Sequence, residues 1–172
     1  MSEELKGTLS IDLGNTNTVI AFQEEKSDNP ILIDIPNITR SAGILPTAIW
    51  HENDTSISYI GMQALKKLEQ TSNNEYFYSN FKRLIGNPFE KFENKELSPE
   101  ESGEKFFRTL WDYLPSYLHI KRLVLTAPID TYKGYRKWLI DICSSLEIDE
   151  IALVDEPTAA AIGIKIPYGS KI

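Results

Sequence analysis

The chain has 172 residues, 41% hydrophobic and 25% charged, so one domain can bury a core without disulfides or a structural metal. Its formal charge of -7 excludes broad binding to a phosphate backbone, and no nucleic-acid partner is expected. No apolar run approaches bilayer length, and Met1 to Gly7 lacks a basic start followed by an apolar stretch, so a cytoplasmic protein with no membrane partner is expected.

In chain order, Thr8 to Asp12 is apolar and extended, Leu13-Gly14-Asn15-Thr16-Asn17 supplies turn formers, and Thr18 to Phe22 is β-branched again, which predicts a hairpin. Ile31 to Ile35 and Leu45 to Trp50 read as two further strands, broken by Pro36-Asn37 and Gly43. Met62 to Gln70 and Tyr76 to Leu84 are helix candidates separated by Thr71-Ser72-Asn73-Asn74, and Lys91 to Lys95 reads as a charged connection. Ser98-Pro99-Glu100-Glu101 combines a cap, a proline at the first helical position and a glutamate at the third. Phe106, Phe107, Leu110, Trp111 and Leu114 then recur at helical spacing, predicting a helix from about Pro99 to Leu114. The last third alternates strand and helix, through Arg122 to Thr126, Lys133 to Leu146, Glu150 to Val154 and Pro157 to Ile164, a signature of α/β architecture. Tyr135, Trp138, Leu139, Ile142, Cys143 and Leu146 form one apolar stripe and read as core; Cys143 is a packed thiol, and His51 and His119 lack metal-site spacing.

Three segments carry chemistry, and each also has a plain structural reading. In Ile11 to Val19, a tight turn between strands directs backbone N–H groups together, and Gly14 lets a ligand approach; such a nest suits phosphate oxygens, while Asp12 at the strand end suits a hydrated magnesium. An ordinary hairpin with Asx turns accounts for the same residues. The segment is neither a GxGxxG nor a GKS/T loop, and a strand follows it. In Phe81 to Phe89, Lys82 and Arg83 precede Gly86 and Pro88, as cations at a helix end also would. In Leu153 to Ala161, Asp155 and Glu156 leave an apolar strand and begin a small-residue helix, either capping it or facing a metal-bound water.

Taken in order, these segments resemble the DnaK-type, seventy-kilodalton heat-shock chaperone family. DLGNTNTVIAF is similar to its first phosphate loop, NFKRLIGNPF to its lysine segment, VLTAPI with Arg136 to its proline-switch region, and VDEPTAAAIG to its connecting helix. EPTAAAI after an apolar strand is the most specific match, whereas the DLG turn is shared with actin and sugar kinases.

The resemblance implies an α/β, ribonuclease-H-like (actin-like ATPase) core over residues 1–48 and 119–172, interrupted by a small, mainly helical outer subdomain over 49–118. It implies ATP/ADP and magnesium as ligands. Asp12 would contact magnesium through water, and the amides around Gly14, Asn15, Thr16 and Asn17 would hold the terminal phosphates. Lys82 would meet the γ-phosphate and attacking water, Glu156 would sit near that water and the metal, and Pro128 with Arg136 would couple nucleotide state to interdomain movement.

Three departures qualify that inheritance. Asn15 stands where the family has a threonine that approaches the γ-phosphate, which puts hydrolysis in question. The chain between Lys82 and Pro128 is shorter than usual, so a trimmed outer subdomain is expected. Residues 164–172 stop before a second phosphate loop, an adenosine-binding lobe and a peptide-binding domain, so the expectation is a truncated first lobe that is not catalytically competent alone. The implied partners are those missing parts, with the co-chaperones and unfolded clients of the parent, and self-association through the uncovered face. Rival functions on the same fold are a small-molecule kinase, against which EPTAAAI and KRLIG argue, and a non-catalytic partner-binding module.

Overall fold

A computed structural model describes residues 4–52, 55–87, 92–93, 95–129 and 133–163. Alternation of apolar and polar residues builds the main sheet. In β1 (Leu5–Leu13) Leu9, Ile11 and Leu13 are buried, and in β2 (Asn17–Glu24) Thr18, Ile20 and Phe22 are buried, so both strands put one face into the core. They pair antiparallel from Gly7 opposite Glu24 to Leu13 opposite Thr18, forming the expected hairpin.

Strands β3 (Ile31–Leu32) and β4 (Ile44–Pro46) both pair with β2. On the other side, β8 (Leu118–Ala127) runs parallel to β1, and β9 (Glu150–Asp155) runs parallel to β8, giving the order β3-β2-β1-β8-β9 with β4 also on β2. The architecture is mixed α/β.

A second sheet, in the order β6-β5-β7, is antiparallel and comprises β5 (Ala48–His51), β6 (Ser58–Ile60) and β7 (Phe77–Ser79). Its Ile49, Ile60 and Tyr78 join the same core as β1 and β2, while Ala48 and Trp50 pack with Ala64 of α1 (Met62–Glu69) in a smaller cluster. Helix α2 (Pro99–Tyr113) begins with the expected capping box: Ser98 accepts from the Glu101 N–H, and the Glu101 carboxylate accepts from the Ser98 N–H at 2.8 Å. It buries Phe106, Phe107 and Leu110, and α3 (Lys133–Cys143) buries Tyr135, Leu139, Ile142 and Cys143. Trp138 and Leu146 pack against that core, completing the stripe. Burial pushes the Cys143 thiol up to about 11. Helix α4 (Glu156–Gly163) follows β9 without an intervening residue.

Several expected elements differ. Tyr76 to Leu84 is not a helix: Phe77, Tyr78 and Ser79 pair with Trp50, Ile49 and Ala48, and Asn80 turns left-handed at φ 58 before a single 3₁₀ turn, Phe81–Arg83. Cross-strand pairing with an apolar partner outweighs the local helical pattern here. The strand expected from Ile31 ends at Leu32, since Thr39 accepts from the Ile35 N–H and Asn37 has φ 72, folding the chain into a turn. Leu45 to Trp50 divides at Thr47 between the two sheets; the Thr47 N–H donates to the Thr16 carbonyl at 2.9 Å, and its buried hydroxyl meets that of Thr18 at 2.9 Å. In the charged connection, Lys91 and Asn94 lie outside the described residues, as does Ile164, the expected end of the last helix.

Candidate functional site

Strand ends, one 3₁₀ turn and two helices converge on a cavity of about 530 Å³ lined by Asp12, Gly14, Asn15, Lys82, Pro128 and Glu156, together with Tyr135. Asp12 is the last polar residue of β1 and lies beside the end of parallel strand β8, whose Thr126 hydroxyl donates to Asp12 Oδ1 at 2.5 Å. That contact fixes the carboxylate, and its other oxygen has no hydrogen-bond partner among the described residues.

After β1 the chain turns tightly, with the Gly14 N–H donating to the Asp12 carbonyl at 3.0 Å. A Cβ on Gly14 would stand 2.2 Å from the Asn17 carbonyl oxygen, so only glycine closes this turn. Asn15 spans to the second sheet, donating from Nδ2 to Asn80 Oδ1 at 2.9 Å. Its own Oδ1, and that of Asn17, are buried with no hydrogen-bond partner among the described residues. Thr16 is exposed on the turn, and neither it nor Asn17 is among the residues lining the cavity.

Lys82 is positioned by its neighbour. Phe81 is fully buried with its ring 5.7 Å from that of Phe106 in α2, which holds the 3₁₀ turn against the core. The Lys82 ammonium then reaches Glu156 Oε1 at 2.5 Å, with the lysine side chain 11% exposed and the glutamate 37%. Glu156 opens α4, where the helix dipole favours a carboxylate. Lys82 Nζ also stands 5.7 Å from the centre of the Tyr135 ring.

The lysine segment is pressed onto α3 by a glycine pair. Gly86 has φ 78, and a Cβ on Gly134 would lie 2.6 Å from the Gly86 Cα. The Gly86 N–H donates to the Glu100 carboxylate at 2.8 Å, so α2 locks the same junction. Pro88 and Phe89 of this segment lie outside the described residues.

Pro128 follows β8 on the cavity wall, while the Arg136 guanidinium pairs with Asp155 at the end of β9. Of the residues singled out in the sequence, Asp12, Gly14, Asn15, Lys82, Pro128 and Glu156 thus share one cavity, and Arg136 ties two of its supporting elements together. Tyr135 and Thr126 escaped the sequence reading: Tyr135 sits within a stripe that reads as core, and Thr126 is one more β-branched residue of a strand. Among the described residues, no cluster of His, Cys, Asp and Glu has the size to hold a metal by itself, and no helix is long and apolar enough to cross a membrane.

A mixed sheet with a paired lysine and glutamate beside a glycine turn defines an α/β protein with a cleft at the ends of parallel strands. The chain is 30% identical over 165 residues to Chaperone protein DnaK of Mycoplasmopsis synoviae (strain 53), covering 94% of this chain and 26% of that protein. It is 30% identical over 166 residues to Chaperone protein DnaK of Mycoplasma mobile, covering 95% and 26%. With Chaperone protein DnaK of Thermotoga maritima it shares 27% identity over 174 residues, covering 99% and 28%. No family model matches the chain. The chain is a distant relative of the DnaK-type chaperones and spans about a quarter of the length of the curated relatives it matches.

Proposed function

We propose that this chain is an ATP-binding lobe of a DnaK-type chaperone, in which nucleotide binding drives the folding cycle of client proteins. The observation that carries the reading is the convergence of Asp12, Gly14, Asn15, Lys82, Pro128 and Glu156, from segments far apart in sequence, on one cavity. The strand order, with an antiparallel hairpin followed by two parallel strands, supports a ribonuclease-H-like core over 1–48 and 119–172. The small antiparallel sheet with α1 and α2 supports an outer subdomain over 49–118, one that shares its core with the main sheet.

The donor set fits a magnesium polyphosphate. Lys82 supplies a cation, the Gly14 turn brings backbone close to the cavity, and Asp12 lines the wall with only Oδ1 hydrogen-bonded among the described residues. Magnesium retains most of its water and needs one or two carboxylates plus phosphate oxygens, so Asp12 acting through water suffices where no larger acidic cluster exists among the described residues. Bound magnesium would neutralise phosphate charge. The amides around Gly14 and Asn15 would hold the terminal phosphates, with Thr16 and Asn17 of the same turn set back from the cavity lining, and Lys82 would leave Glu156 to meet the γ-phosphate. Glu156, released, would accept a hydrogen bond from the attacking water. Pro128 and Arg136 would carry nucleotide state to neighbouring domains, Arg136 through its hold on Asp155. Co-chaperones, unfolded clients and further domains of a whole chaperone are the partners in this reading, and its setting is the cytoplasm.

Because Asp12 is exposed and Glu156 is 37% exposed, contacts here compete with water, and ATP binding should be roughly millimolar or weaker. Titration calorimetry with ATP and magnesium tests this. Weak binding that disappears in Lys82→Ala supports the reading; no binding, or binding indifferent to Lys82→Ala, contradicts it.

A further inference from the structure

We infer that the Tyr135 hydroxyl is a ligand-binding donor of this cavity, directed to the anionic oxygens of a bound polyphosphate; the inference rests on the nucleotide reading above. Tyr135 is 2% exposed and lines the cavity alongside Asp12, Lys82 and Glu156, yet its hydroxyl is buried with no hydrogen-bond partner among the described residues. A buried O–H without an acceptor is destabilising, and phenylalanine would fill the same space without that penalty. The rest of the ring is accounted for by packing, 5.5 Å from the Trp138 ring.

The cavity's carboxylates hydrogen-bond elsewhere: Glu156 Oε1 accepts from Lys82 at 2.5 Å and Asp12 Oδ1 from the Thr126 hydroxyl at 2.5 Å, and neither is hydrogen-bonded to the Tyr135 hydroxyl. Burial, followed by the Glu156 and Asp12 carboxylates, pushes the phenol well above its ordinary range. It therefore remains protonated, a donor and never a phenolate, across the pH range in which proteins work. With the Lys82 ammonium 5.7 Å from the ring centre, a cation and a protonated phenol stand side by side at the cavity. An anion is the ligand class that such a pair recognises, and a terminal phosphate displacing Glu156 from Lys82 would meet both donors.

The test compares the unmodified chain with Tyr135→Phe in two measurements. Thermal unfolding without ligand should give a melting temperature equal to or above that of the unmodified chain, because the change removes an unpaired polar group. NMR titration with inorganic triphosphate and with ATP, each with magnesium, should show affinity weakened by at least about tenfold, the effect of losing a hydrogen bond to a charged group. Equal affinity for both proteins would overturn this inference while leaving the nucleotide reading intact. No binding of either ligand by the unmodified chain would overturn both. A melting temperature several degrees lower would show that the hydroxyl already has a protein partner, and would overturn the inference whatever the affinity.

Discussion

The Lys82–Glu156 pair is asymmetric, and that asymmetry makes a quantitative prediction. Lysine is the buried partner, with its side chain 11% exposed against 37% for the glutamate. Lys82→Met keeps most of the stem's packing and leaves a carboxylate that water can reach at a helix N-terminus, where it is independently favoured. The cost should be that of a solvent-accessible ion pair, about 0–1 kcal/mol. Glu156→Gln instead leaves an ammonium largely out of water without its counter-charge, with only a neutral carbonyl in reach. Stranding a charged donor should cost about 1–3 kcal/mol. At this chain length, 1 kcal/mol corresponds to roughly 2–4 °C in melting temperature. Urea unfolding of both variants, supported by thermal melts, measures the difference. Lys82→Met as damaging as Glu156→Gln, or more so, would refute the reasoning and mean that Lys82 is held by packing and not by charge.

Ser98→Ala should lose about 1 kcal/mol by uncapping α2, read from urea unfolding. Hydrogen bonds from the Ser98 N–H and then its hydroxyl lower the Glu101 pKa from 4.5, so this carboxylate's contribution is present above the unfolded value and is lost as pH falls through the lower folded one. The penalty of Ser98→Ala should accordingly shrink in acid. Gly134→Ala places a methyl 2.6 Å from the Gly86 Cα and should cost about 1–3 kcal/mol, with chemical-shift changes spreading to Lys82. Cys143, with its thiol pushed up to about 11 by burial, should react with a disulfide reagent at neutral pH only as fast as the chain opens, and promptly in denaturant.

Much of this was legible because it is local or periodic. The hairpin declares itself through alternation on either side of Gly14, and α2 through a capping box followed by a 3.6-residue apolar pattern. The stretch from Tyr76 misled because its partner, Trp50 with Ile49, lies more than twenty residues away, and pairing of that kind leaves no local trace. The split of Leu45 to Trp50 is hidden for a similar reason: Thr47 changes sheets through bonds to Thr16 and Thr18, which only the folded chain brings near. In the site, residues within recognisable motifs were legible individually. Tyr135 was not, since its spacing is that of a core residue and only its unpaired hydroxyl distinguishes it. Nor was the Arg136–Asp155 pair, which joins a helix to a strand end.

The most direct test of the central claim is an amide-resolved NMR titration of the chain with ATP and magnesium. Nucleotide binding at this cavity predicts shifts concentrated at Asp12, Gly14, Asn15, Lys82 and Glu156, with smaller changes along α3 from Tyr135. The same titration into Lys82→Ala should leave those amides unmoved. Shifts centred instead on the separate groove between α2 and α3, near Glu104, Arg108 and Asp141, or no shifts at all, would contradict the account.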